Sequence, residues 1–374
     1  MSALGTQCEI SGLEPVSDLQ AGMDFRDPRF RREVFLRFYE FHLKYRAHPG
    51  GVYYLIPWLQ SKLGMSMEQV LWFCFINGCT QNPVTSYAVF TKFPDFQALN
   101  LGDMETWHRA NWRKLDYDTD RRYCKGHLVE MVEDYKTWVG DSQVEFFNGL
   151  TQYKTAKENF NSVWDFVKGN FMRFGRLSTF SYLEYLRKAG LNIECSKLFL
   201  EDVDGSKSHR NGLCIVLGRD DMDWRSGGRE TPHSKDEIAW LSSEADKLLA
   251  ECRARFESAP YFADVGFFTL ESTLCCYKSW HRENRRYPNV YNDMLYNRIK
   301  KAEDGRWSEE PQIDVGIFWQ ARRECLPKEL LLEFNQNDPG LSKPKQNWYR
   351  NTGQVIMMDM DWPCFKNDFN ARAG

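Results

Sequence analysis

The spacing of apolar residues constrains this chain more than any other feature. From about residue 28 to 302 they return every three or four positions, and no alternating apolar/polar run recurs, so helices rather than strands are the available elements. Local stop and start signals divide the pattern. Asp27-Pro28 reads as an N-cap with proline at the first helical position, ahead of Phe30, Val34, Phe38, His42 and Tyr45. Ser66-Met67-Glu68-Gln69 and Ser234-Lys235-Asp236-Glu237 have capping-box form, in which the serine oxygen accepts from the third amide and the glutamine or glutamate reaches back. Asn82-Pro83 opens a short helix, and Asp118 or Thr119 can cap a long segment reaching Gly140. Thr155–Lys168, Ser178–Gly190, Phe267–His281 and Tyr291–Ala302 complete the helical set. The expected fold is mainly α, multi-helix. Residues 1–24 read as an N-terminal arm, 25–304 as a helical catalytic domain with a loop-rich insert at about 192–233, and 305–374 as a C-terminal extension packed on the main body.

Charge and cysteine usage narrow the function classes. With 49 basic and 52 acidic side chains the chain is no globally basic nucleic-acid binder, so contact with DNA must come from a local patch. Eleven scattered cysteines without a C-x-x-C pair fit neither a disulfide framework nor a zinc ribbon. No apolar run of about 18 residues and no signal-peptide pattern is present, which predicts a soluble cytoplasmic protein without membrane contact. Gly-rich nucleotide-binding motifs are also missing.

Five polar segments could carry chemistry. The first, Asn77-Gly78-Cys79-Thr80-Gln81-Asn82-Pro83, breaks an aromatic stretch containing Trp72 and Tyr87. Amides and hydroxyls among rings suit the edge and face of a planar heterocycle, and equally suit a capped interhelical turn. The second, Asp116 to Tyr123, holds Asp118, Arg121 and Arg122 near a helix start, an anion site or a solvated charge run. The third, Phe171 to Ser178 leading to Glu184, carries Arg173 and Arg176 three apart, a phosphate clamp or basic stems packed on an apolar edge. The fourth, Gly205 to Gly212, offers Ser208, His209 and Arg210 in what reads as a phosphate-wrapping or ordinary polar loop. In the fifth, Glu271, Cys275 and Lys278 share a helix face, followed by Arg286. A buried cysteine between surface charges is the plain alternative.

Taken in order, Trp72 to Thr80, Pro83 to Ser86, Phe93 to Phe96, Asp118 to Arg122, Phe174-Gly175-Arg176, Ser208 to Leu213, Glu271 to Cys275 and Arg286-Tyr287-Pro288 resemble a known family. It is the phage and bacterial α-glutamyl/putrescinyl-thymine pyrophosphorylase family, also described as amino acid:DNA transferases. The resemblance runs over roughly residues 28 to 300. Asn289-Val290 departs from the glycine-containing pattern expected there, and residues beyond about 305 have no counterpart. The resemblance implies a helical, DNA-glycosylase-like enzyme acting on double-stranded DNA with hypermodified thymine. Its expected substrate is 5-(pyrophosphoryloxymethyl)uracil in DNA, whose pyrophosphate is replaced by the amine of an amino acid, glycine among them, or of a polyamine.

That reaction sets requirements that the residues can supply. The base must be flipped out of the duplex, with Trp72 and Tyr87 to stack and Asn77, Thr80 and Gln81 to bond its edge. Departing pyrophosphate needs positive charge, for which Arg121, Arg122, Arg173, Arg176, His209, Arg210, Lys278 and Arg286 are candidates, with the Ser208 hydroxyl as a further phosphate-binding group. No tightly bound cofactor is expected, and Mg²⁺ is the metal this chemistry could use. The incoming ammonium must lose a proton, to Glu271 or Asp118. Either direct displacement or addition of the Cys275 thiol to the pyrimidine ring could expel pyrophosphate. The competing readings are a helical DNA glycosylase and a non-enzymatic DNA-binding protein, and convergence of the five segments on one pocket would favour an enzyme.

Overall fold

The computed structural model describes residues 28–44, 46, 51–202, 207–224, 229–278, 294–303 and 314–326. In chain order the helices are α1 (Pro28–Lys44), α2 (Val52–Leu63), α3 (Met67–Thr80), α4 (Pro83–Lys92), α5 (Leu101–Asn111), α6 (Leu128–Val139) and α7 (Gln143–Leu150). They continue as α8 (Ala156–Asn170), α9 (Arg176–Lys188), α10 (Lys207–Val216), α11 (Lys235–Arg255), α12 (Phe267–Lys278), α13 (Met294–Lys301) and α14 (Gly316–Cys325). The mainly α expectation holds: among the described residues extended pairing is limited to an isolated Trp224–Arg229 bridge. No helix among them is long and apolar enough to cross a membrane.

Local chemistry sets many of the boundaries. Both expected capping boxes form, at Ser66/Gln69 and Ser234/Glu237, and the Asn82 side chain accepts from the amides of Val84 and Thr85. Each such cap contributes about 1 kcal/mol. The segment after Asp118 departs from expectation. It runs through two 3-10 turns, Thr119–Tyr123 and Lys125–His127, before α6 begins, with Thr119 at a left-handed φ of 51°.

The core is continuous and aromatic. Helix α3 is buried from Val70 to Thr80, so it is a central rather than an amphipathic helix. Phe75 stacks on Tyr135 of α6 at 3.7 Å and lies 5.8 Å from Phe174, while a Cβ at Gly78 would touch Phe174 and Tyr182 at 3.2 Å. The helices α10 and α12 pack closer still. A Cβ on Gly212 would lie 2.1 Å from the Leu274 carbonyl oxygen, so only glycine permits this approach.

That contact corrects part of the loop reading of 192–233. Residues 207–216 form a helix, buried from His209 onward, because Gly212 lets their backbone dock on α12. Within the expected C-terminal extension, α14 packs on the body: Trp58 donates to Glu324 at 2.7 Å, and Phe318 meets Tyr87 edge-on at 5.4 Å. The N-terminal arm at 1–24 lies outside the described residues, as does Arg286.

Candidate active site

A cavity of about 230 Å³ opens where α9, α10 and α12 meet the ends of α2, α3 and α13. Gln81, Thr119, Arg176, Glu184, Ser208, His209, Glu271, Ser272, Cys275 and Arg298 contribute to its lining. Each of the five polar segments places at least one residue here.

Its floor is a buried charge network. Arg176 begins α9 at Gly175, and its guanidinium folds inward over the Phe180 ring at 5.0 Å. Nη1 donates to Glu271 Oε1 at 2.7 Å, and Nη2 reaches the Leu198 carbonyl at 3.3 Å. His209 Nδ1 lies 3.1 Å from the same Glu271 oxygen, and its Nε2 lies 3.3 Å from Arg176 Nη2 and 3.0 Å from the Leu198 oxygen. Burial lowers the His209 pKa despite the Glu271 carboxylate, and Arg176 adds to the depression. The neutral imidazole therefore donates Nδ1–H to Glu271 and accepts from Arg176, a tautomer assigned from the network. A proton added at Nε2 would point at the Leu198 carbonyl.

Two glutamates end with opposite characters. Burial opposes ionisation of Glu271, but Arg176 and His209 outweigh it and hold the carboxyl at about 2. Glu184, on α9, is pushed up to about 8 by burial and then by the Glu271 charge, against the hydrogen bonds from Tyr53 and Ser272. Both bonds enter Oε1, from Tyr53 Oη at 2.7 Å and Ser272 Oγ at 3.0 Å, and Oε2 has no hydrogen-bond partner among the described residues. Adjacent carboxyl groups with separated pKa values are the arrangement that acid–base chemistry uses.

The rest of the lining is polar but sparsely tied. Gln81 closes α3 in a left-handed conformation with φ 50°, its amide N–H bonded to the Asn77 carbonyl at 2.7 Å. Its buried side-chain amide has no partner at either nitrogen or oxygen among the described residues. Arg298 ion-pairs with Asp118 at 2.5 Å, bringing α13 to the rim. Burial and Glu271 raise the Cys275 pKa, keeping it a thiol at neutral pH. Lys278, which like Asp118 lies outside the lining, donates to Ser208 Oγ at 2.9 Å and ties α12 to α10. No three His, Cys, Asp or Glu side chains among the described residues converge as a preformed metal cage.

Other residues singled out in the sequence sit elsewhere. Trp72 lies in the core, its indole N–H donated to the Phe93 carbonyl at 2.7 Å, and Tyr87 packs against Phe90 and Phe318. Asn77 and Thr80 face inward and both bond Ser86, at 3.0 and 2.7 Å. None of these four lines the cavity: Trp72, Asn77 and Thr80 are enclosed in the core, and Tyr87 faces α14. Arg121 is fully buried, donating to the Arg173 carbonyl at 2.9 Å beneath the Phe174 ring, and Arg210 donates to the Leu200 carbonyl at 3.1 Å beside Trp224. Both brace the core away from the cavity lining. Arg122 and Arg173 are exposed outside it. Conversely, Tyr53, Ser272 and Arg298 were not anticipated, and Glu184 had no assigned role. A lone carboxylate within Tyr182-Leu183-Glu184-Tyr185-Leu186 is the signal that could have found it.

The profile of the family described as amino acid:DNA transferase (ADDT) matches residues 53–287, more than half of the chain and every cavity residue named here except Arg298. The chain belongs to the amino acid:DNA transferase family. It is thus a transferase that acts on DNA with an amino acid. It is similar to a serinyltransferase of Salmonella phage ViI, 28% identical over 299 residues that cover 77% of this chain and 71% of that protein. No solved structure matches.

Proposed function

We propose that this transferase replaces the pyrophosphate of 5-(pyrophosphoryloxymethyl)uracil in DNA with the α-amine of an amino acid, leaving an N-linked thymine. The observation that carries the reading is the convergence of all five polar segments on one cavity, with a guanidinium, an imidazole, two unlike carboxyl groups and an open amide. Each has a task. The thymine is flipped into the cavity, where the Gln81 amide supplies one donor and one acceptor for the O4 and N3–H edge of a uracil ring. Arg176 sets a fixed positive charge beside the departing pyrophosphate, and His209 can add a second by taking a proton. Exposed Arg122 and Arg173 suit the DNA backbone.

Direct displacement is the favoured route. A thiol kept protonated by burial and by Glu271 is a poor nucleophile toward the pyrimidine ring. The name of the phage relative makes serine the amine to try first, beside glycine and putrescine.

The test is nucleoside mass analysis after incubating the protein, Mg²⁺ and a mixed amine pool with DNA carrying pyrophosphorylated hydroxymethyluracil. A thymidine joined at its C5 methylene to the nitrogen of the amine, with stoichiometric pyrophosphate release, is the expected result, and its mass identifies the amine. Free base or abasic sites would replace this reading with a glycosylase, and binding without turnover would reduce the arginines to a docking surface.

A further inference from the structure

We infer that Glu184 is the group that takes the proton from the incoming amine, a role that rests on the reaction proposed above. The two carboxylates nominated from sequence are both committed elsewhere. Asp118 is ion-paired with Arg298, and Glu271 is shared between Arg176 and His209. Glu184 differs in geometry. It is 7% exposed, lines the cavity, and receives both of its hydrogen bonds on Oε1, so Oε2 is the carboxylate oxygen available to a ligand.

The groups around Glu184 favour this task. Tyr53 from α2 and Ser272 from α12 orient the carboxyl, and Glu271 on α12 raises its proton affinity. Arg176 on α9 moderates that effect, while Tyr185 on α9, His209 on α10, Cys275 on α12 and Arg298 on α13 are the other titratable groups of the lining. A base poised near the operating pH is the effective one, and burial brings Glu184 to about 8 where an ordinary glutamate could not hold an ammonium proton.

The step balances. The amino acid enters as R–NH₃⁺, and the ionised Glu184 takes one proton to become the acid. The freed nitrogen lone pair attacks the C5 methylene carbon, the methylene–oxygen bond breaks, and its electron pair departs with pyrophosphate. The resulting secondary ammonium carries the positive charge, and Glu184 returns its proton to water.

The experiment is single-turnover transfer on pyrophosphorylated DNA at saturating amino acid, followed across pH for the wild type, Glu184→Gln and Tyr53→Phe. The wild-type rate should rise with pH and level near 8. Glu184→Gln should lose about 100- to 10,000-fold in rate and lose that inflection. Tyr53→Phe removes one donor to Oε1, so its inflection should move to higher pH while transfer persists. A Glu184→Gln enzyme with unchanged rate and profile, or a Tyr53→Phe profile that coincides with the wild type, overturns the assignment while leaving the reaction intact. Absence of transfer by the wild type removes the reaction itself and the assignment with it.

Discussion

Replacing Gly212 by alanine should couple a large stability loss to a large activity loss, although the residue touches no substrate. The added Cβ would sit 2.1 Å from the Leu274 carbonyl oxygen, where ordinary contact begins at 3.4 Å, and the obstacle is backbone that no rotamer can relieve. α10 and α12 must therefore separate by about 1 Å, and over-packing of this severity costs about 3 kcal/mol. The same displacement carries Ser208 and His209 on α10 away from Glu271 and Cys275 on α12, and a misplacement of about 1 Å costs about 100-fold in rate. Urea unfolding by circular dichroism reads the first effect as a midpoint lowered by about 1 M, and transfer kinetics in the still-folded baseline read the second. The matched control is Gly169→Ala in α8, where nothing lies within 4 Å of the added carbon; it should stabilise by about 0.5 kcal/mol. A Gly212→Ala protein that melts within about 0.5 kcal/mol of the wild type with full activity would refute the close-packing argument.

The glutamate pair predicts a sign for stability against pH. Glu184 binds its proton more tightly when folded, so its contribution is complete below the unfolded value near 4.5 and is lost as pH rises toward about 8; Glu271 contributes above 4.5 and is lost as pH falls toward about 2. Glu184→Gln should therefore gain on the wild type by about 1.4 kcal/mol per pH unit between roughly pH 5 and 8 in parallel denaturant melts, and a constant difference would contradict the buried-acid reading. Arg176→Met leaves the buried Glu271 carboxylate without its cationic partner, held by the His209 imidazole, and should cost about 3–5 kcal/mol, with Arg176→Met/Glu271→Gln recovering much of it; additivity of the two changes would count against the pair. Cys275→Ser should keep the transfer rate within about 10-fold, whereas a loss of about 1,000-fold with the fold intact would favour the thiol route over direct displacement.

The helices and their caps were legible in the sequence because the interactions that define them are local. Ser66 with Gln69, Ser234 with Glu237 and Asn82 with Thr85 each close within three residues, and apolar spacing follows from helical geometry alone. The segments that meet at the cavity were legible too, through their polar breaks and the ordered motifs of the family. Which side chains enter the cavity was not legible, because the deciding contacts join positions far apart in the chain: Arg176 to Glu271 across 95 residues, and Tyr53 to Glu184 across 131. Periodicity reports that a face is buried and not what covers it. Trp72 and Arg121 therefore read as binding residues and prove to be core, while the polar, glycine-bounded stretch that holds His209 reads as a loop and folds as a helix. The tertiary structure alone decided that α9 and α12 set two carboxyl groups into one low-dielectric space. There Arg176 and His209 together keep Glu271 ionised, and Glu184, bonded by neutral hydroxyls, holds its proton.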